Sequence, residues 1–81
     1  MLEELFKKYN IEIIDNWQVK RNIKGMPSIC DYYMFNHKGL DYCISFDSIS
    51  YVFSDEKGRF IYMGFSVKEL EKELKKVVKK C

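Results

Sequence analysis

Metal sites and active centres in small proteins are built from cysteine, histidine and paired carboxylates. This chain offers Cys30, Cys43 and Cys81, a single histidine at position 37, and the aspartates Asp31 and Asp41, which could share a sheet face. Structural zinc takes four ligands in recognisable pairs. The cysteines have no such spacing, and alternation along the chain sets Cys30 and Cys43 on opposite faces, so no metal is expected. Catalysis needs a nucleophile next to a base, a glycine-rich phosphate loop, or a motif such as His-Glu-x-x-His or Gly-x-Ser-x-Gly. The sequence contains none of these, and its acidic residues scatter over turns and helix surfaces. The expectation is a non-enzyme without a cofactor, its odd set of thiols free in a reducing compartment.

What the sequence does offer is aromatic surface. Alternation places Tyr33, Cys43, Val52 and Tyr62 in one row on the second face of a sheet, with Phe35 and Phe60 in the next row. An exposed apolar patch of this kind marks an interaction site, so these residues form the expected partner-binding surface. The plainer reading is that the N-terminal helix packs over them. Lys20 and Lys24 fall on the same face, beside Tyr33 and Phe35. Single-stranded nucleic acid is held by such a mixture, its bases stacking on rings and its phosphates neutralised by lysine. Asp31 and Asp41 would repel those phosphates, and the net charge is only +2. Nucleic acid is therefore the alternative and not the expected partner. Lys75, Lys76, Lys79 and Lys80 crowd the end of the last helix, where they complement the helix dipole.

These residues are positioned by short elements with clear punctuation. Leu2, Leu5, Phe6 and Tyr9 have helical spacing over residues 2–9. Residues 16–24 alternate as a strand with one wet face, and Gly25-Met26-Pro27-Ser28 reads as a break. Asn36-His37-Lys38-Gly39 and Asp55-Glu56-Lys57-Gly58 share one turn pattern, read as a three-residue hairpin loop closed by glycine. The first joins a strand over 29–35 to one over 40–46. If Asn36 opposes Leu40, then Met34, Tyr32 and Cys30 meet Tyr42, Ile44 and Phe46 on the apolar face. A tight turn at Asp47-Ser48 leads to a strand over 49–54, and the second glycine turn sets Phe53 opposite Ile61 and Tyr51 opposite Met63. Ser66 and Glu69 make a capping box, Phe65 and Leu70 a hydrophobic staple, and Val67, Leu70, Leu74, Val77 and Val78 an apolar stripe.

The fold class expected is α+β, one domain over residues 1–81. A short N-terminal helix precedes a five-stranded antiparallel meander, and a long C-terminal amphipathic helix packs on one sheet face. No apolar run approaches the roughly 18 residues of a membrane span, and the N-terminus lacks the basic start of a signal peptide, so a cytoplasmic protein is expected. Alanine and threonine are absent while Lys, Ile, Tyr, Phe and Asn abound, a sign of AT-rich coding in a low-GC bacterium or its phages. Phages and mobile elements encode small chains without chemistry to bind and inhibit host proteins, anti-CRISPR proteins among them. A host protein is thus the expected partner, and a second copy of the chain could close the open face as a homodimer.

Overall fold

The computed structural model describes residues 2–78. In chain order it contains α1 (Leu2–Lys8), β1 (Ile13–Ile23), β2 (Met26–His37), β3 (Leu40–Phe46), β4 (Tyr51–Ser54), β5 (Phe60–Gly64) and α2 (Val67–Val78). The strands form one antiparallel sheet in the order β1-β2-β3-β4-β5. Both helices pack on the same face of it, so the fold is α+β as expected. Lys79, Lys80 and Cys81 lie outside the described residues.

Turn chemistry decides which side chains meet the helices. Lys24-Gly25 and Lys38-Gly39 both have positive φ at their two residues (51° and 79°, 53° and 82°). That is the signature of a two-residue type I′ loop, whose twist matches the twist of the strands it joins. Ile23 therefore opposes Met26, and His37 opposes Leu40. The Asn36 side chain accepts from the Gly39 amide at 3.2 Å and donates to Asp41 at 2.9 Å, bracing this tight end. The register expected for β2 and β3 is off by one residue, because it assumed a three-residue loop. A one-residue slip moves every side chain to the other face. The break expected at residues 25–28 is likewise a tight turn followed directly by strand. Pro27 opposes Asn22 in the ladder. It is tolerated because β3 ends opposite Asp31, so no strand asks for the missing amide on that side.

The other turns differ in smaller ways. Asp47 caps the loop to β4, its carboxylate accepting from the amides of Ile49 and Ser50 and from the Ser50 hydroxyl. The tight turn expected at Asp47-Ser48 would oppose Phe46 with Ile49; Phe46 opposes Tyr51 instead, a two-residue shift that keeps each side chain on its expected face. The Asp55 loop closes as expected, with the Asp55 amide donating to the Arg59 carbonyl at 2.9 Å. A bulge follows. Ser54 opposes Phe60 but Phe53 opposes Tyr62, so Ile61 is the extra residue and Tyr62 turns to the helix side.

Two rows of the covered face follow directly. Asn16, Tyr33, Ile44, Phe53 and Tyr62 cross the sheet in one, and Gln18, Asp31, Phe46, Tyr51 and Gly64 in the other. Phe35, Ile44, Phe53, Leu70 and Leu74 are the largest side chains fully withdrawn from solvent. Each contributes about 1.5–3 kcal/mol by leaving water. Leu2, Leu5 and Phe6 join the same core, with the Phe6 ring 5.2 Å from that of Tyr33. A helix of seven residues cannot persist alone. It is pinned to α2 by Glu71, which accepts from Lys8 Nζ at 2.6 Å and Tyr9 Oη at 2.7 Å. At the start of α2, Ser66 Oγ accepts from the Glu69 amide at 3.3 Å. The rest of the expected box and staple is replaced. The Ser66 amide donates to Tyr62 Oη at 3.2 Å, and Phe65 is exposed.

Candidate functional site

Among the described residues, the second sheet face carries no helix. Trp17, Tyr32, Ser45, Val52 and Met63 cross all five strands in one row, and Asp15, Met34, Cys43, Ser54 and Phe60 form the next. Period-two alternation from the type I′ registers puts them there. The Trp17 and Tyr32 rings stack, 5.3 Å apart and 5° from parallel. Arg21, four residues further along β1 on the same face, donates from Nη2 to Tyr32 Oη at 2.7 Å and holds that ring in place. Between the rows lies a trough of about 320 Å³, with Cys30, Cys43 and Val52 among its apolar lining and Ser45, Ser50 and Ser54 among its polar lining. Phe60 and Met63 stand at the β5 side, 66% and 59% exposed, and Trp17 and Val19 at the β1 side, 36% and 37% exposed.

The residues expected to bind a partner divide between the faces. Cys43, Val52 and Phe60 lie on the open face. Tyr33, Phe35 and Tyr62 lie on the covered face; Phe35 is 1% exposed and Tyr33 packs on Phe6. The slip at Lys38-Gly39 and the bulge at Ile61 exchanged them for Tyr32, Met34 and Met63. The stacking platform of the nucleic-acid alternative is dismantled by the same slip. Lys20, opposite Ile29, falls on the covered side with Asn16 and Gln18 and not on the open face where it was expected, Lys24 sits in the turn, and Tyr33 and Phe35 offer no ring face to a base. Trp17 and Tyr32 stand on the open face in their stead. The sequence carries a signal for them: Trp17, Val19 and Arg21 share one parity, and two Lys-Gly pairs mark tight loops.

The chemistry-bearing residues are dispersed. Cys30 and Cys43 lie on the same face, contrary to expectation, and are free thiols. Burial pushes the Cys43 thiol up, with Cys30 adding to the shift, which suits an inert side chain rather than a nucleophile. His37 ends β2, and its Nε2 is shielded from solvent without a hydrogen-bond partner. Among the described residues, no three His, Cys, Asp or Glu side chains stand together to hold a metal ion. A hollow of about 410 Å³ near the end of α2 is lined largely by the charged loop Asp55–Arg59. Its Asp55 is committed to its own turn, which holds that carboxyl below the usual range, chiefly through the Arg59 amide. Also among the described residues, no helix is long and apolar enough to cross a membrane. Comparison with family models, curated proteins and solved structures found no match.

Proposed function

We propose that this chain is a non-enzymatic protein-binding module that acts by laying its bare sheet face over a surface of another protein. The observation that carries this reading is the composition of that face. Trp17, Tyr32, Met34, Phe60, Met63 and Arg21 are the residue types that protein interfaces concentrate at their centres, while lysine and glutamate are depleted there. The apolar floor of Cys30, Cys43 and Val52 would be dry once covered, and Asp15, Asp41 and Asp47 would form part of a wet rim. A small chain that binds without chemistry works by occlusion. Its composition fits the host-directed inhibitors of phages and mobile elements, anti-CRISPR proteins among them. The test is affinity capture from a low-GC bacterial lysate by the native chain beside the double variant Trp17→Ala, Phe60→Ala. A partner retained in stoichiometric amount by the first and lost by the second, at matched thermal stability, supports the reading. Equal retention by both overturns it.

One observation favours a second reading, single-stranded nucleic acid. Arg21 is bonded to Tyr32 of the Trp17–Tyr32 stack on the open face, and no acidic residue occurs between Asn16 and Cys30. Binding of this kind must weaken steeply with salt, because phosphate contacts release counterions. Fluorescence anisotropy with a labelled oligothymidine decides it, and no binding at low salt removes the reading.

A further inference from the structure

The sheet has two edges of very different character. β5 is short, five residues, and begins at a bulge. β1 has eleven residues and, among the described strands, is hydrogen-bonded to β2 alone. Residues 14–22 are all exposed. A long free edge presents a row of unpaired amides and carbonyls and is a template for another strand. Natural edges are usually blunted by charge, and β1 carries Asp15, Lys20 and Arg21. The arrangement of those charges admits one particular neighbour.

We propose that the free edge of β1 pairs antiparallel with β1 of a second copy of this chain, about a two-fold axis at Gln18. A two-fold perpendicular to the sheet keeps open face beside open face, so opposed residues must share parity. Among the registers that satisfy this, the one centred on Gln18 sets Asp15 opposite the partner's Arg21, and Arg21 opposite the partner's Asp15. Trp17 then meets the partner's Val19, and Val19 the partner's Trp17, in one apolar cluster at the axis. On the covered side, Asn16 opposes the partner's Lys20 and Gln18 opposes itself, so no like charges meet. Centring one pair earlier, on Trp17, opposes Arg21 with Ile13. Centring later, on Val19, sets Asp15 against Ile23, and centring on Lys20 sets lysine against lysine. Opposite charges across a strand pair are stabilising and like charges are not. Asp15 and Arg21 are already oriented: one Asp15 oxygen accepts from the Asn16 amide at 2.9 Å, and Arg21 is held on Tyr32. Arg21 has donors to spare beyond that bond.

The bulge at Ile14 breaks the regular alternation of β1, whose pairing with β2 resumes at Ile13↔Phe35, and it confines the symmetric register to residues 15–21 of each copy. The contact is isologous and uses up the long edge, so assembly closes at two copies instead of growing into a fibre. The result is a ten-stranded sheet with all four helices on one side and a continuous open face of twice the area. The inference rests on the edge and stands apart from what the open face binds.

The experiment is light scattering coupled to size exclusion, from low micromolar to millimolar concentration, on the native chain and a charge-exchange series. The native chain should run as a concentration-dependent dimer. Asp15→Arg alone and Arg21→Asp alone should each raise the dissociation constant by about tenfold or more. Together in one chain they should restore the dimer, because each copy again opposes unlike charges. As a second measurement, Gln18→Cys should form an intermolecular disulfide under mild oxidant, since directly opposed residues lie within disulfide reach. Lys20→Cys should not, being opposite Asn16. A monomer at millimolar concentration, a dimer indifferent to both single exchanges, or single exchanges not rescued by their combination overturns the proposal, as does cross-linking at position 20 in preference to 18.

Discussion

Tyr33 shows how a side chain nominated for a partner becomes part of the core. Its ring packs on Phe6, and its hydroxyl donates to Glu3 Oε2 at 3.1 Å, so it closes the gap between α1 and the sheet. Loss of solvent first, and the Glu3 hydrogen bond second, push its phenol up to about 12. A phenol raised in the folded state supplies stability that is fully present below its unfolded value near 10 and is lost as pH rises toward 12. Denaturant midpoints of the native chain should therefore fall between pH 10 and 12, and Tyr33→Phe should flatten that limb while costing about 1 kcal/mol at neutral pH. An alkaline limb of equal steepness in Tyr33→Phe would assign the loss to another group. Asp47 works in the opposite direction. Its carboxyl is held below the usual range chiefly by the Ser50 amide, so its contribution is present at neutral pH and fades in acid.

Among the elements, both helices, all five strands and the meander order are legible in the sequence because each has its own period and its own punctuation. The α2 stripe and the Ser66 cap are local signals and survive folding. The faces of the sheet are harder to read, because they hang on loop length. Asn36-His37-Lys38-Gly39 is compatible with a three-residue loop and with a two-residue one, and the two differ by one step in register. Composition does not separate them: Met34 and Tyr32 are as apolar as Phe35 and Tyr33. The two-residue loop, with positive φ at both Lys38 and Gly39, sets the observed register and brings Tyr33 and Phe35 beneath the helices. The bulge at Ile61 has no local signature, and it re-aims Tyr62 to the same side. That is why alternation puts Cys43, Val52 and Phe60 on the face where they lie, and Tyr33, Phe35 and Tyr62 on the opposite one. The type I′ assignment can be tested directly. Asn suits the first central position better than lysine does, so Lys38→Asn should stabilise by a few tenths of a kcal/mol up to about 1. Gly39→Ala, with φ at 82°, should cost about 1–2 kcal/mol. Thermal melts of the two variants should move in opposite directions, and a three-residue loop would leave Lys38→Asn without effect.

For the molecule as a whole, the consequence is asymmetry. One sheet face is sealed by α1 and α2 around Phe35, Ile44 and Phe53. The other keeps Trp17, Tyr32, Phe60 and Met63 in water. The sheet also runs past its own cover. From Val19↔Cys30 to Ile23↔Met26 the β1–β2 hairpin has no β3 beside it, which stretches the molecule to 47 Å along its longest axis against 23 Å across. A lone two-stranded ribbon is marginal in water, so this end gains most from a neighbour. If the open face serves binding and not folding, its apolar residues contribute little to the monomer. Trp17→Ser, Phe60→Ser and Met63→Ser combined should then leave the melting temperature within a few degrees, while the native-state fluorescence of a hydrophobic dye falls sharply. Phe53→Ala, on the sealed face, should by itself cost about 3–5 kcal/mol. The two results together locate the core. If the triple variant unfolds as readily as Phe53→Ala, both faces are structural and the division of labour between them is wrong. If it melts higher than the native chain, the exposed aromatics are held against stability, which is expected of residues kept for a partner.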